Sequence, residues 1–234
     1  MSSLIDQLLR PSRSIRFQFL FIALLLMLTV PVALDDALAE ALVPLLFTVL
    51  ALAAVSTVAE KRSSVIVGAV LVIPALLLYW LSDGSPQLQL LAELFFILFL
   101  IYVTYGLIRH SLRAKWITGE ILFAVACVYL LLALIWAMGF GMAESLTPGA
   151  LAFPQDVVGA GEDPSGRGLY TYFSFVTLTT LGYGDIAPAS DVARIMAMLE
   201  ATLGQLFLVI VVARLVGMHT AQYMETIRGG DGRE

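Results

Sequence analysis

Apolar residues along the chain gather into six long runs, near positions 16–34, 41–59, 65–81, 88–108, 117–140 and 192–216. Each approaches the ~20 residues that an α-helix needs to cross a hydrocarbon core of ~30 Å. A seventh apolar stretch, 169–180, is too short to cross and predicts a re-entrant helix. It leads into "TLTTLGYGD" at 177–185, where a threonine pair precedes two glycines that bracket a tyrosine. The longest polar insert, 141–168, is rich in Gly, Pro and acidic residues and predicts an exposed loop. Pro31, Pro44 and Pro74 lie within or beside the runs, where proline bends or ends a helix. At the amino end, Leu4, Ile5, Leu8 and Leu9 recur at helical spacing before Pro11. They predict a short interfacial helix or a terminus with no fixed structure. The pattern shows no internal repeat and no low-complexity tract.

Composition agrees with this pattern. The 234 residues are 60% hydrophobic and 13% charged, with a mean hydropathy of +0.93. A soluble domain carries roughly 45–50% apolar and about 25% charged residues. The chain is therefore expected to be an all-α integral membrane protein of several spans. The net charge of -5 says less than where the charges fall. If six spans are drawn, Arg10, Arg13, Arg16, Lys61, Arg62, Arg109, Arg113, Lys115, Arg214, Arg228 and Arg233 all fall on one side. The other side receives Arg167 and Arg194 with most of the acids, among them Asp35, Asp36, Asp83, Glu144, Asp156, Asp185 and Asp191. The excess of Lys and Arg marks the cytoplasmic side, so both termini are expected there in the cell membrane, with 177–185 opening outward. An Arg-led apolar run followed by "ALA" at 37–39 also resembles a cleaved secretory signal. Its apolar part is longer than a usual signal core, and Asp35 and Asp36 stand awkwardly close to the site. The single cysteine, Cys127, permits no internal disulfide and reads as a small apolar residue.

Non-helical backbone at membrane depth is tolerated only where it lines a cavity or is buried in protein. Residues 180–184 suit such a lining. Gly182 and Gly184 reach positive φ without steric cost, and alternate with Leu181 and Tyr183. That alternation lets consecutive carbonyls point the same way, where an ordinary strand alternates them. A row of aligned carbonyls can replace the hydration shell of a cation. Thr180 adds a hydroxyl at the inner end. The side chains of Leu181 and Tyr183 then point away from the row and brace it.

Thr177, Thr180, Gly182, Tyr183 and Gly184 together resemble the filter signature of potassium channels, threonine-x-x-threonine-x-glycine-tyrosine-glycine. The resemblance covers about 117–216: outer helix, loop, pore helix, filter and inner helix. It implies a homotetramer around a central pore, with K+ bound at the carbonyls of Thr180, Leu181, Gly182, Tyr183 and Gly184. Tyr172 and Phe173 fall where family members carry aromatics that cuff the filter, and Tyr172 is placed to bond Asp185. Val176 stands where some members carry a buried glutamate, which puts gating through such a pair in doubt. Leu181 replaces the more familiar valine or isoleucine. Gly204 falls at the inner-helix hinge, with close helix packing as the other reading. Counting by helical turns, Gln205, Leu208, Val212 and Val216 would face the conduction path.

Glu200 is an ionisable group inside a span, one turn above Gly204 and at about filter depth. Such a residue is a functional candidate by default. It is expected behind the filter, partnered by a pore-helix hydroxyl or by water, with a purely structural carboxylate as the alternative. The fourth run, "LQLLAELFFILFLIYVTYGL", holds no Lys or Arg, and its one acid is Glu93. A voltage sensor needs repeated arginines, because the field supplies ~2.3 kcal/mol per charge per 100 mV. Residues 1–110 therefore have the layout of a sensor domain without its charges. The pore domain is expected at 111–218 and a short cytoplasmic tail at 219–234.

These features point to a passive potassium-selective channel, not strongly voltage-gated, and not to an enzyme. Its rivals are a weakly selective cation channel and a potassium transporter subunit. Transporter subunits carry several degenerate filters in one chain, and this chain has one intact copy. No cofactor beyond the permeant K+, no nucleic acid and no soluble ligand domain is expected; membrane lipid is the surrounding partner. His110 and His219 lie near the cytoplasmic surface as exposed bystanders or pH reporters. Only "RHSLRAKW", 109–116, joins the fourth and fifth runs. A link of that length predicts that each chain's first four spans pack beside its own pore.

Overall fold

The computed structural model describes residues 13–33, 36–58, 62–81, 85–114, 116–153 and 168–230. Each apolar run forms a helix: α1 Arg13–Ala33, α2 Asp36–Val58, α3 Arg62–Leu81, α4 Pro86–Arg113, α5 Gly119–Leu146 and α7 Asp191–Gly230. The short helix α6, Leu169–Leu178, occupies the stretch too short to cross. By length and apolarity α3, α4, α5 and α7 each suffice to span a membrane; α1 and α2 carry shorter apolar stretches, Ile15–Val30 and Leu42–Thr57. Their length and apolarity are those of an integral membrane protein. The expectations for residues 1–10 lie outside the described residues. So do Arg10, Asp35, Lys61, Asp83, Lys115, Asp156, Arg167 and Arg233.

Helices α1 to α5 form one core. Phe17, Leu20, Leu24 and Met27 of α1 recur every three to four residues and are buried. They meet Leu50 and Ala54 of α2, Phe96, Phe99, Leu100 and Val103 of α4, and Ala124, Cys127, Val128 and Leu131 of α5. Cys127 is buried, as a small apolar residue should be. Pro44 and Pro74 sit inside α2 and α3 and end neither helix.

Three helices run past the ends that the sequence pattern gives. Helix α5 continues past 140 to Leu146, so the insert is not an exposed loop from its start. Beyond it Ala150 and Leu151 are buried, and Leu151–Ala152 forms strand β1 against β2, Ala187–Pro188. The pair is antiparallel, with Leu151 opposite Pro188 and Ala152 opposite Ala187. Glu144 holds this corner: its carboxylate accepts from Gly149 N at 2.7 Å and Leu151 N at 2.9 Å. Helix α7 runs unbroken past 216 to Gly230. Helix α4 likewise absorbs 109–113 of the link. Only 114–118 then separate α4 from α5, and Thr118 caps α5 by accepting from Ile121 N at 3.4 Å.

The ends of α2 and α4 receive cations from distant segments. Arg16 donates to Ser56 O at 3.2 Å, and Arg214 of α7 donates to the carbonyls of Ser111, Leu112 and Ala114. Carbonyls at a helix carboxyl end lack partners in the helix and carry partial negative charge, which suits a guanidinium. His110 is no exposed bystander. It is half-buried, 3.1 Å from Glu120 and stacked on Phe17 at 5.3 Å.

Candidate pore-lining site

Helix α6 is apolar on the side that meets α5 and α7, and Phe173, Ser174, Val176 and Leu178 are buried there. Phe173 lies edge-on to Phe140 of α5, with ring centroids 4.8 Å apart. The helix ends where the next residues abandon helical backbone. Thr180 N donates to Thr177 O at 3.0 Å, and both Leu181 N and Gly182 N donate to Val176 O, at 2.9 and 3.3 Å. The last carbonyls of α6 thereby anchor the first amides of the following segment.

That segment has a regular backbone signature. Thr180, Gly182 and Gly184 take φ of 60°, 57° and 81°, while Leu181 and Tyr183 between them do not take positive φ. Every second residue is left-handed, which is the alternation that lets successive carbonyls share one side. Glycine accepts this without cost. Thr180 does not: a β-branched residue at positive φ is an outlier and must be held by its surroundings. Its hydroxyl accepts from Gln205 Nε2 of α7 at 3.0 Å. The strained threonine is thus tied both to α6 and to α7. The sequence pattern pointed to glycine for this conformation and missed Thr180, for which residue type carries no signal.

Beyond the segment, the Tyr172 hydroxyl donates to Asp185 Oδ2 at 2.6 Å. This bond, first among the causes, holds the Asp185 carboxyl below the ordinary carboxylate range. The same bond pushes the Tyr172 phenol up to about 12. Ser190 then caps α7 by accepting from Ala193 N at 3.1 Å. Ala189 N and Ser190 N donate to Ala150 O, so the stretch after Asp185 is clamped to the corner after α5.

Helix α7 supports the site from behind. Ala193, Glu200 and Gly204 are buried on one stripe, and Phe207 continues it, half-buried. A Cβ on Gly204 would lie 2.4 Å from Leu178 O, so glycine is required there for close packing of α7 on the end of α6. Tyr129 of α5 reaches the same Leu178 carbonyl at 3.5 Å and stacks on Phe207 at 5.9 Å. Glu200 is fully buried and meets the hydroxyl of Ser174 on α6, the type of partner its position suggested. Gln205, Leu208, Val212 and Val216 stand on the exposed side of α7, as do Leu181 and Tyr183 of the irregular segment.

Residues 167–221 match the protein-family model described as "Ion channel". The match covers α6, the irregular segment and most of α7, and less than half of the chain. A comparison with characterised proteins found no match. The chain therefore carries an ion-channel domain, whose work is ion transport across a membrane.

Proposed function

We propose that the protein is a potassium-selective channel in which four copies of the chain surround one pore. The observation that carries this reading is the left-handed backbone at Thr180, Gly182 and Gly184 within a threonine-x-x-threonine-x-glycine-tyrosine-glycine sequence. Carbonyls aligned in this way substitute for the water around a dehydrated K+. One chain supplies one row, and a cage around an ion takes several rows related by cyclic symmetry. Exposure supports assembly. Leu181 is 59% and Tyr183 68% exposed in the single chain, and the side chains meant to brace the filter have no cover of their own. A neighbouring copy supplies that cover.

In this reading Thr180 to Gly184 bind the ion through backbone, with no cofactor. Tyr172, Phe173, Thr177, Asp185 and Glu200 hold the filter. Gln205, Leu208, Val212 and Val216 line the path beneath it, and Gly204 seats α7 against α6. All six long helices cross the cell membrane, with both termini cytoplasmic. Helices α1 and α4 pack on α5 of their own chain and only 114–118 separate α4 from α5, which supports a reading in which the first four helices stay beside their own pore. The test is the reversal potential of the purified full chain in a planar bilayer under a K+/Na+ gradient. It should follow the K+ equilibrium potential. A reversal near zero would make the protein a weakly selective cation channel instead.

A further inference from the structure

We infer that Glu200 carries a proton, and that this proton starts a chain of donation fastening the pore helix to both flanking helices. Ser174 of α6 is fully buried, and its one hydroxyl meets two acceptors, Ala133 O of α5 at 2.7 Å and Glu200 Oε1 of α7. A serine hydroxyl has a single hydrogen to donate, and a backbone carbonyl has none. If Ser174 donates to Ala133, the contact with Glu200 needs a hydrogen from the carboxyl. If Ser174 donated to an ionised Glu200 instead, Ser174 Oγ and Ala133 O would face each other with no hydrogen between them. Only the protonated acid fills both contacts, in the order Glu200 to Ser174 to Ala133.

The rest of the pocket agrees. Glu200 Oε2 has no hydrogen-bond partner, and Glu200 has no ion-pair partner among the described residues. A carbonyl oxygen left bare in a protein interior costs far less than an uncompensated charge, which a buried group avoids by taking up a proton. No cation of the described residues faces the carboxyl. From α5 the nearby titratable group is Tyr129, whose hydroxyl is turned to Leu178 O; Glu120 and Glu144 sit at the helix ends. Helix α6 has no charged residue. On α7 itself Asp191 and Arg194 pair with each other at the start of the helix, and Arg214 is bound to the end of α4. Glu200 is thus a positioning residue that acts on the filter through Ser174.

Infrared difference spectroscopy of the full-length protein in lipid tests the protonation state without reference to conduction. Wild type minus E200Q at neutral pH should show the C=O stretch of a protonated carboxyl, sensitive to deuterium exchange. The same band should survive in E93Q, which removes the other intramembrane acid. S174A should move the band to higher frequency as the carboxyl loses its acceptor. A carboxylate band in place of the acid band, or an acid band unmoved in S174A, overturns the inference. The mechanical role rests on the pore reading above and has its own measurement, K+ flux from loaded vesicles. E200M, which keeps volume and removes the donor, should lower flux about tenfold, the size of a lost buried hydrogen-bond pair. E200Q, with an amide donor at the same place, should recover it. Equal loss in both variants would remove the role assigned to the donor.

Discussion

The first four helices and the pore region of this chain are held by different means. In α1 to α4 the core is apolar, the threonine hydroxyls Thr29, Thr48, Thr57 and Thr104 turn back to carbonyls of their own helices, and the side-chain bonds that cross, Arg16 to Ser56 O and Tyr102 to Ser64 O, lie towards the helix ends. Around α6 the side-chain bonds cross between elements: Ser174 to Ala133 and Glu200, Tyr172 to Asp185, Gln205 to Thr180, Tyr129 to Leu178. The difference follows from backbone. A regular helix satisfies its own amides and carbonyls, and needs only a shape-matched apolar neighbour. A segment with left-handed residues at alternate positions satisfies few of its own groups. It must be fixed by polar ties from outside.

The sharpest way to break the comparison is to damage each region once. Gly182→Ala adds a Cβ at φ 57°, where L side chains are strained, and that Cβ meets nothing of its own chain, so the damage within the chain is conformational. It should abolish K+-selective current while the protein still purifies as an assembled, helical channel. Phe99→Ala opens a hole in the fully buried core of the first helices, at a cost of about 3–5 kcal/mol in a well-packed interior. It should lower the thermal midpoint and leave the reversal potential where it was. Thermal melting and bilayer recording on both variants check the pair. A selectivity change in Phe99→Ala would show that the two regions are not separable.

Gly204→Ala comes next. The added methyl meets a backbone carbonyl and the Leu178 side chain, neither of which can swing aside cheaply. Overpacking of this kind costs about 1–3 kcal/mol and here would push α6 away from α7. Lower tetramer yield and a reduced single-channel conductance are expected, with selectivity retained in the channels that form. Normal yield together with altered open probability would favour a hinge at this glycine over a packing contact.

Much of this was legible in the chain and some was not, for reasons that differ by residue. The apolar runs announce their helices because a span must be long and greasy. The 177–185 stretch announces itself because glycine in that setting has few other uses. Glu200 was traceable to a pore-helix hydroxyl because a buried carboxyl must find a partner near its own depth. The helix ends at Leu146 and Gly230 were not legible, since polarity and glycine in "GFGMAES" and "RLVGMHT" mimic a stop without imposing one. The β1–β2 pair is two residues long on each side, below any readable alternation. Arg214 looked like an ordinary inside-rule charge, and its bonds to the end of α4 depend on a juxtaposition of residues 100 or more apart in sequence.

A smaller effect is expected at the outer tie of the filter. Tyr172→Phe removes the donor to Asp185 and keeps the ring. A hydrogen bond to a charged group is worth about 1.5–3 kcal/mol, with the lower end suited to a pair open to water. The variant should conduct K+ but close sooner during sustained recording. The pH dependence has a definite sign. Asp185 is depressed, so its contribution is present above the unfolded carboxylate range and is lost as pH falls through the lowered value. Acidifying the outer bath should therefore make wild type behave like Tyr172→Phe at neutral pH, and should change the variant less. Tyr172 itself, held near 12, stays protonated throughout.

The least effect is expected from the cations at the end of α4. Arg109 and Arg113 are exposed, whereas Arg214 is bonded to three carbonyls of the same helix end. A gating charge must cross part of the field, and each charge that does so brings ~2.3 kcal/mol per 100 mV. Two arginines in the final turns of a helix, at the level where Arg214 already caps it, have no buried acidic partner among the described residues. Helix α4 above them carries no further Lys or Arg, so nothing could follow them inward. The double variant Arg109→Gln, Arg113→Gln should therefore leave the conductance–voltage curve nearly unmoved, by macroscopic recording from reconstituted patches. A shift in midpoint with a shallower slope would mean that these two residues sense the field, and that the first four helices do more than pack.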